Sequence, residues 1–229
     1  MQAVILAAGE GRRMRPLTET VPKPLLKVDG KPLLDYTFAA LPDEIDEVIL
    51  VIGYLGEQIK KYLGDSFAGK KVRYIVQNKL EGTAKAVWEA KPLLKDRFLV
   101  MMADDIYSKT DIEKCLQHEQ AMLVKRNDRQ EAGGKVTINV KGELESVEEG
   151  KMFPIGTLVG TNVFVLKPEF FNYEPVKLTD RVGEWGLPQT VALMARDFPV
   201  EIVEATRWIK ITTPEDLKSA EKLLTEKNL

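Results

Sequence analysis

Val4-Ile5-Leu6-Ala7-Ala8-Gly9-Glu10-Gly11-Arg12-Arg13-Met14-Arg15-Pro16-Leu17-Thr18 opens the chain with an apolar run, a glycine turn and a burst of arginines. A short apolar run bounded by turn residues reads as a strand buried on both faces. The glycines let backbone N–H groups approach an anion, and the cations behind them neutralise phosphate charge. Pro22-Lys23-Pro24-Leu25-Leu26 follows, and between Glu10 and Lys31 six cations (Arg12, Arg13, Arg15, Lys23, Lys27, Lys31) stand against three acids (Glu10, Glu19, Asp29). A solvated charged loop has the same composition. Joined to a glycine turn at a strand end, the cluster favours a small polyphosphate.

Further strands and helices alternate beyond this opening. Val48–Ile52, Val72–Val76 and Phe98–Met102 repeat the buried-strand pattern. Between them, Leu33–Leu41, Leu55–Leu63 and Gly82–Leu94 carry apolar residues at helical spacing. Such alternation predicts a mostly parallel sheet covered by helices on both faces. The second half differs: Ala121–Lys125, Val136–Val140, Glu143–Val147 and Leu158–Leu166 read as an antiparallel addition, with Lys141-Gly142 as a hairpin turn. Thr213-Pro214-Glu215-Asp216 then reads as a capped helix start. The expected fold class is α/β, one Rossmann-like domain over residues 1–229.

Composition bounds the function. With 229 residues, 44% of them hydrophobic, the chain can bury one sizeable core. A formal net charge of −2 argues against nucleic acid as a partner. The lone Cys115 excludes an internal disulfide and fits a reducing compartment. Met1-Gln2 runs straight into a strand, leaving no room for a signal peptide, and no apolar run reaches membrane-span length. A soluble cytoplasmic protein is expected, with oligomeric state undetermined. His118, the sole histidine, leaves no Ser/His/Asp triad, and one Cys with one His makes no zinc set.

Ligands of open parallel sheets bind beyond the carboxyl ends of the strands. Gly9 and Gly11 follow the first strand there, Gln77 the third, and Asp104-Asp105 the fourth. Singly, these read as a tight turn, a surface amide and a helix cap; together at one sheet edge they read as a site. Met14 occupies the third glycine position of a dinucleotide fingerprint, and the P-loop pattern is missing.

The opening block resembles the signature of the sugar-1-phosphate nucleotidyltransferases, LAxGxGxRMxPLT followed by PKPL. The resemblance is tight over residues 3–35 and 72–106 and looser over 143–217. It implies transfer of a nucleoside monophosphate from an NTP to a sugar 1-phosphate, with Mg²⁺ as cofactor. Arg13 corresponds to the catalytic arginine and Lys23 to the PKPL lysine, with Leu6, Ala8, Gly9 and Gly11 against the nucleotide. Asp104 resembles the strand-end aspartate that binds magnesium. Gln77-Asn78-Lys79-Leu80-Glu81-Gly82-Thr83 resembles the base-reading segment, which places Gln77, Gly82 and Thr83 on the nucleotide and favours UTP or dTTP. Residues to about 110 would bind the NTP, and those from about 111 the sugar phosphate. Absence of a hexapeptide repeat implies no β-helical acyltransferase domain within these residues, as in short bacterial members.

Two segments depart from the family pattern. Val147-Glu148-Glu149-Gly150-Lys151 resembles L-E-E-K-P with a glycine at the lysine position. Glu149 and Lys151, with Thr161 and Asn162, are the implied sugar-phosphate ligands. Trp208-Ile209-Lys210-Ile211-Thr212-Thr213-Pro214 resembles W-x-D-I-G-T-P, whose aspartate is a second magnesium ligand; here it is Lys210. Asp105 or a phosphate oxygen replaces that ligand, the ammonium substitutes for metal charge, or activity is lost. Loss would make the chain a silent nucleotide-sugar-binding regulator. A cytidylyl- or guanylyltransferase for another phosphorylated acceptor is the remaining alternative.

Overall fold

In the computed structural model, which describes residues 1–225, the first strand is the centre of the sheet. The last four positions of the expected 1–229 domain lie outside the described residues. Strands β1 (Gln2–Ala7), β2 (Glu47–Ile52), short β3 (Ser66–Phe67), β4 (Lys70–Val76) and β5 (Phe98–Met102) come from the first half. β5, β1, β2 and β4 lie parallel in that order, with Ile5 registered between Met101 and Leu50. β3 closes the edge antiparallel to β4.

The second half supplies β6 (Ala121–Arg126), β7 (Glu131–Ile138), β8 (Leu144–Phe153), β9 (Leu158–Leu166) and β10 (Glu201–Glu204). β9 runs antiparallel to β5, with Phe164 opposite Val100, and also pairs with β6 and β7. β10 lies parallel to β6, and β7 and β8 form the hairpin. Among the described residues this makes one continuous sheet of ten strands spanning both halves of the chain.

Both faces are covered, as the apolar strands require. Helices α1 (Leu33–Ala39), α2 (Gly56–Leu63) and α4 (Lys109–Leu116) bury Phe38, Ile59 and Ile112 against Ala3, Ile5 and Leu50. Helices α3 (Thr83–Ala90) and α5 (Leu187–Met194) bury Val87 and Val191 against Val4, Leu6 and Val51 on the other face. Cys115 is fully buried in the first of these cores, and burial pushes its thiol up to about 12. Helix α6 (Pro214–Thr225) packs Leu217 and Ala220 on Met14, Val28 and Ile211, tying the end of the chain to the glycine turn. Its start is capped as the sequence predicts, the Asp216 carboxylate accepting the N–H groups of Thr212 at 2.8 Å and Thr213 at 2.9 Å.

β8 runs longer than expected, reaching Phe153 instead of stopping at Val147, while β10 and α5 are not expected from the sequence. The charged run Glu148-Glu149-Gly150-Lys151 of β8 shows no apolar alternation, so pairing with β7 rather than burial defines it. The turn at Lys141-Gly142 is present: Gly142 has φ +83°, and Asn139 Oδ1 accepts the N–H of Lys141 at 2.8 Å.

A buried carboxylate secures α4 to the segment after β10. Asp111 Oδ2 accepts the Thr206 N–H at 2.7 Å, its hydroxyl at 2.8 Å and the Arg207 N–H at 3.1 Å. Burial opposes ionisation, but these donors outweigh it and hold the carboxyl below its usual range. Stability from such a depressed group is present above the unfolded-state value and lost as pH falls through the folded one. Asp111→Ala is expected to cost about 2–4 kcal/mol at neutral pH in urea unfolding. The difference from wild type should shrink below about pH 4.

Candidate active site

The carboxyl ends of β1, β4 and β5 open into a cavity of about 430 Å³. Leu6, Ala8, Gly9 and Gly11 line it from the end of β1 and the turn, Gln77 from beyond β4, and Asp104 from beyond β5. Gly82 and Thr83 line it from the start of α3, while Glu149, Asn162 and Arg181 come from the second half. The three sheet-edge features expected from sequence therefore share one cavity, and both halves of the chain wall it.

The two turn glycines differ in what they answer to. Gly11 adopts φ +60°, and a Cβ there would stand 3.0 Å from the Thr18 methyl, so the fold itself demands glycine. Its carbonyl oxygen accepts the Thr18 hydroxyl at 2.8 Å and the Met14 N–H at 2.8 Å, which closes the turn. A Cβ at Gly9 would meet nothing within 4 Å. The fold itself therefore places no demand on the size of residue 9. Arg13 lines the cavity, is exposed and makes no ion pair among the described residues, whereas Arg12 is bound to Glu10 at 2.5 Å.

Lys23 is pinned. Its Nζ donates to Asp104 Oδ2 at 2.6 Å and to the Ile211 carbonyl oxygen, and the two side chains are only 12% and 24% exposed. Asp105 next door is buried and turned away from the cavity, accepting Trp208 Nε1–H at 3.0 Å and the Ile211 N–H at 2.9 Å. Burial, with Asp104 beside it, pushes its carboxyl up to about 7, against the pull of Lys23 and these donors. Asp105 is thus committed to bracing residues 208–211. Lys210 does not line the cavity, its ammonium lying 5.9 Å from the centre of the Trp208 ring; the cation beside Asp104 is Lys23. Among the described residues no group of three or more His, Cys, Asp or Glu is gathered for a metal.

Gln77 is buried, and its Nε2 donates to the Gly82 carbonyl oxygen at 3.4 Å. Gly82 has φ +89°, and a Cβ there would stand 2.6 Å from the Trp185 carbonyl oxygen. Thr83 Oγ1 accepts the Leu187 N–H at 3.0 Å. This segment is stitched to α5 as well as facing the cavity.

The sugar-phosphate candidates divide. Between Lys135–Glu148 and Gly133–Lys151 the β7–β8 register shifts by one residue, and Gly150 takes φ +86°. The extra residue reverses the side-chain alternation. Glu149 consequently faces the cavity, paired with Arg181, while Lys151 lies outside it on Glu148. Asn162 sits at a second register shift, in β9, with φ +61°, and lines the cavity. Thr161 does not: fully buried, it donates its hydroxyl to the Leu123 carbonyl oxygen at 2.9 Å. Arg181 and Glu184 are additions that the sequence reading lacks. Their signal is a charged run around Gly183 just before Trp185-Gly186-Leu187-Pro188.

The glycines make a matched test. Gly82→Ala is expected to destabilise by about 2 kcal/mol or more, and Gly9→Ala by less than about 0.5 kcal/mol, in chemical denaturation. Equal losses would show that Gly9 too is held by the fold.

The Nucleotidyl transferase family model matches residues 2–227. The bifunctional protein GlmU of Methanocaldococcus jannaschii is 30% identical over 229 residues, covering 99% of this chain and 55% of that protein. The UTP–glucose-1-phosphate uridylyltransferase AglF of Haloferax volcanii is 32% identical, covering 99% of this chain and 97% of that one. This chain thus spans about half the length of the GlmU relative, and nearly all of AglF. A Bacillus anthracis structure assigned as a glucose-1-phosphate thymidylyltransferase superposes with a TM-score of 0.83 at 23% identity, covering 97% and 95% of the two chains, and shares the fold. Matched from its first strand to its last helix, the chain belongs to the nucleotidyl transferase family.

Proposed function

We propose that this protein transfers a nucleoside monophosphate from UTP or dTTP to a sugar 1-phosphate and releases pyrophosphate. The observation that carries this reading is the pinned Lys23 ammonium, set between Asp104 and the Ile211 carbonyl beside the glycine turn. A phosphate oxygen of the sugar attacks the α-phosphorus, the bond to the β-phosphate oxygen breaks, and its electron pair leaves on pyrophosphate. No covalent enzyme intermediate is required. Catalysis then consists of aligning two mutually repelling anions and stabilising the charge that develops.

Each cation has a task in that scheme. Arg13, exposed at the cavity without a counter-ion, grips the triphosphate through its planar fork of donors. Lys23 supplies a point charge, held in place before substrate arrives. Arg181 stands on the wall where Lys151 does not, and serves as counter-charge to the acceptor phosphate, oriented by Glu149. Gln77 presents a donor and an acceptor to a pyrimidine edge. Residues up to about 110 take the NTP and the rest the sugar phosphate.

Asp104 gives one strand-end carboxylate, with Lys210 at the position of the family's second acid. With its Oδ2 on Lys23, the Asp104 carboxylate would offer a Mg²⁺ ion one oxygen, the other ligands being phosphate oxygens and water. When bound, the ion would neutralise phosphate charge at the α-phosphorus. AglF carries a uridylyltransferase name and nearly the same length, which supports the donor and acceptor classes proposed.

Pyrophosphate release across a matrix of nucleoside triphosphates and sugar 1-phosphates tests the reading. Turnover is expected with UTP or dTTP; nucleotide-sugar binding without turnover would support a silent regulator instead. Arg13→Ala, and Lys23→Ala compared only with variant protein shown to be folded, should each lower kcat/KM by about two orders of magnitude or more. Near wild-type turnover removes that residue from the mechanism. Gln77→Ala should blur the ranking of triphosphates more than it slows the best one, because a base edge loses its partner. An unchanged ranking places base reading elsewhere.

A further inference from the structure

We propose, building on the transfer reaction above, that Trp185 positions Arg181 for the acceptor phosphate from an anchor on the base-reading segment. Arg181 stands at the tip of a short hairpin, in which Val176 pairs with Gly186 and Lys177 with Trp185. The tip closes on itself: the Leu178 N–H donates to the Glu184 carbonyl oxygen at 2.9 Å, and the Glu184 N–H to the Arg181 carbonyl oxygen at 3.2 Å. Residues 179–183 are all exposed. Arg181 pairs with Asp180 and Glu184 inside the hairpin, and among the described residues only its pair with Glu149 reaches the sheet. A two-stranded hairpin is marginal by itself in water, so the place of its tip depends on how its base is fastened.

The base is fastened at Trp185. Its N–H donates to the Glu81 carbonyl oxygen at 2.9 Å, and its own carbonyl oxygen and nitrogen lie so close to Gly82 that a Cβ there would stand 2.6 and 2.7 Å from them. The indole is half-buried against the core that α3 and α5 share. Lys85 Nζ lies 5.1 Å and Lys177 Nζ 6.0 Å from the ring centre. An aromatic face attracts such cations. Lys85 belongs to α3 and Lys177 to the opposite strand of the hairpin, so the ring joins the hairpin to the helix that begins at Thr83. Trp185 does not line the cavity, whereas Glu184 and Gly186 on either side of it do. Its influence on the reaction therefore passes through the hairpin it holds.

Pyrophosphate release by the full chain is measured with UTP or dTTP against glucose, galactose and mannose 1-phosphates. Trp185→Leu removes the ring and keeps the backbone bonds. It should raise KM for the hexose 1-phosphate by about tenfold or more, and KM for the triphosphate by less than about threefold. Trp185→Phe, which keeps an aromatic face, should recover most of that loss. In an Arg181→Ala background, Trp185→Leu should move the hexose phosphate KM by less than about twofold, because nothing is left to position. Lys85→Met, on a partly exposed residue, should give the same selective loss at about threefold, whereas plain loss of a positive charge weakens the more highly charged triphosphate at least as much. Hydrogen exchange over residues 178–184 should speed up in Trp185→Leu and Lys85→Met with no substrate present. Equal losses for both substrates, an additive loss in Arg181→Ala, or unchanged exchange overturns the proposal and leaves the transfer reaction standing. No turnover by the wild type with any pair of substrates overturns both.

Discussion

One ammonium group fastens three distant stretches of this chain. Lys23 comes from the segment after the glycine turn, Asp104 from the end of β5, and Ile211 from the approach to α6. Opposite charges in a partly dehydrated setting attract more strongly than in water, and losing either partner strands the other. The neighbouring Asp105 repeats the connection, holding Trp208 and Ile211 by two further hydrogen bonds. Met14, Val28 and Leu217 then share a small core beneath the same junction. Polar pin and apolar core thus close the same corner of the molecule.

On the proposed reading, the consequence for the site is preorganisation. A lysine free to swing would lose rotamer entropy on binding phosphate, whereas one already held loses less. Gly11 and Gly82 are demanded by close contacts within the fold, and Gly9 by none. On the other wall the bulge at Gly150 sorts two residues that lie close in sequence, sending Glu149 inward and Lys151 outward.

The parallel half was legible because its strands are buried on both faces and read as plain apolar runs, Phe98–Met102 to the residue. Gly9, Gly11, Gln77 and Asp104 were legible for a related reason: each follows a strand whose end had already been placed. β8 was not, since its charged residues pair along the backbone without an apolar period to show it. Lys151 and Thr161 lie away from the cavity because register shifts, invisible in spacing, decide which way neighbouring side chains face. Arg181 went unread because a loop charge declares its partner, here Glu149, only once the chain has folded.

The fate of the α-phosphate tests the central claim most directly. UTP or dTTP labelled at that phosphorus is incubated with each of a series of hexose 1-phosphates, Mg²⁺ and the protein, and the products are separated. The account predicts that the label passes into a nucleotide sugar while unlabelled pyrophosphate is released in equal amount, and that this transfer collapses in Lys23→Ala. Label that stays in the triphosphate, or emerges as a free nucleoside mono- or diphosphate for every hexose 1-phosphate tried, would contradict it.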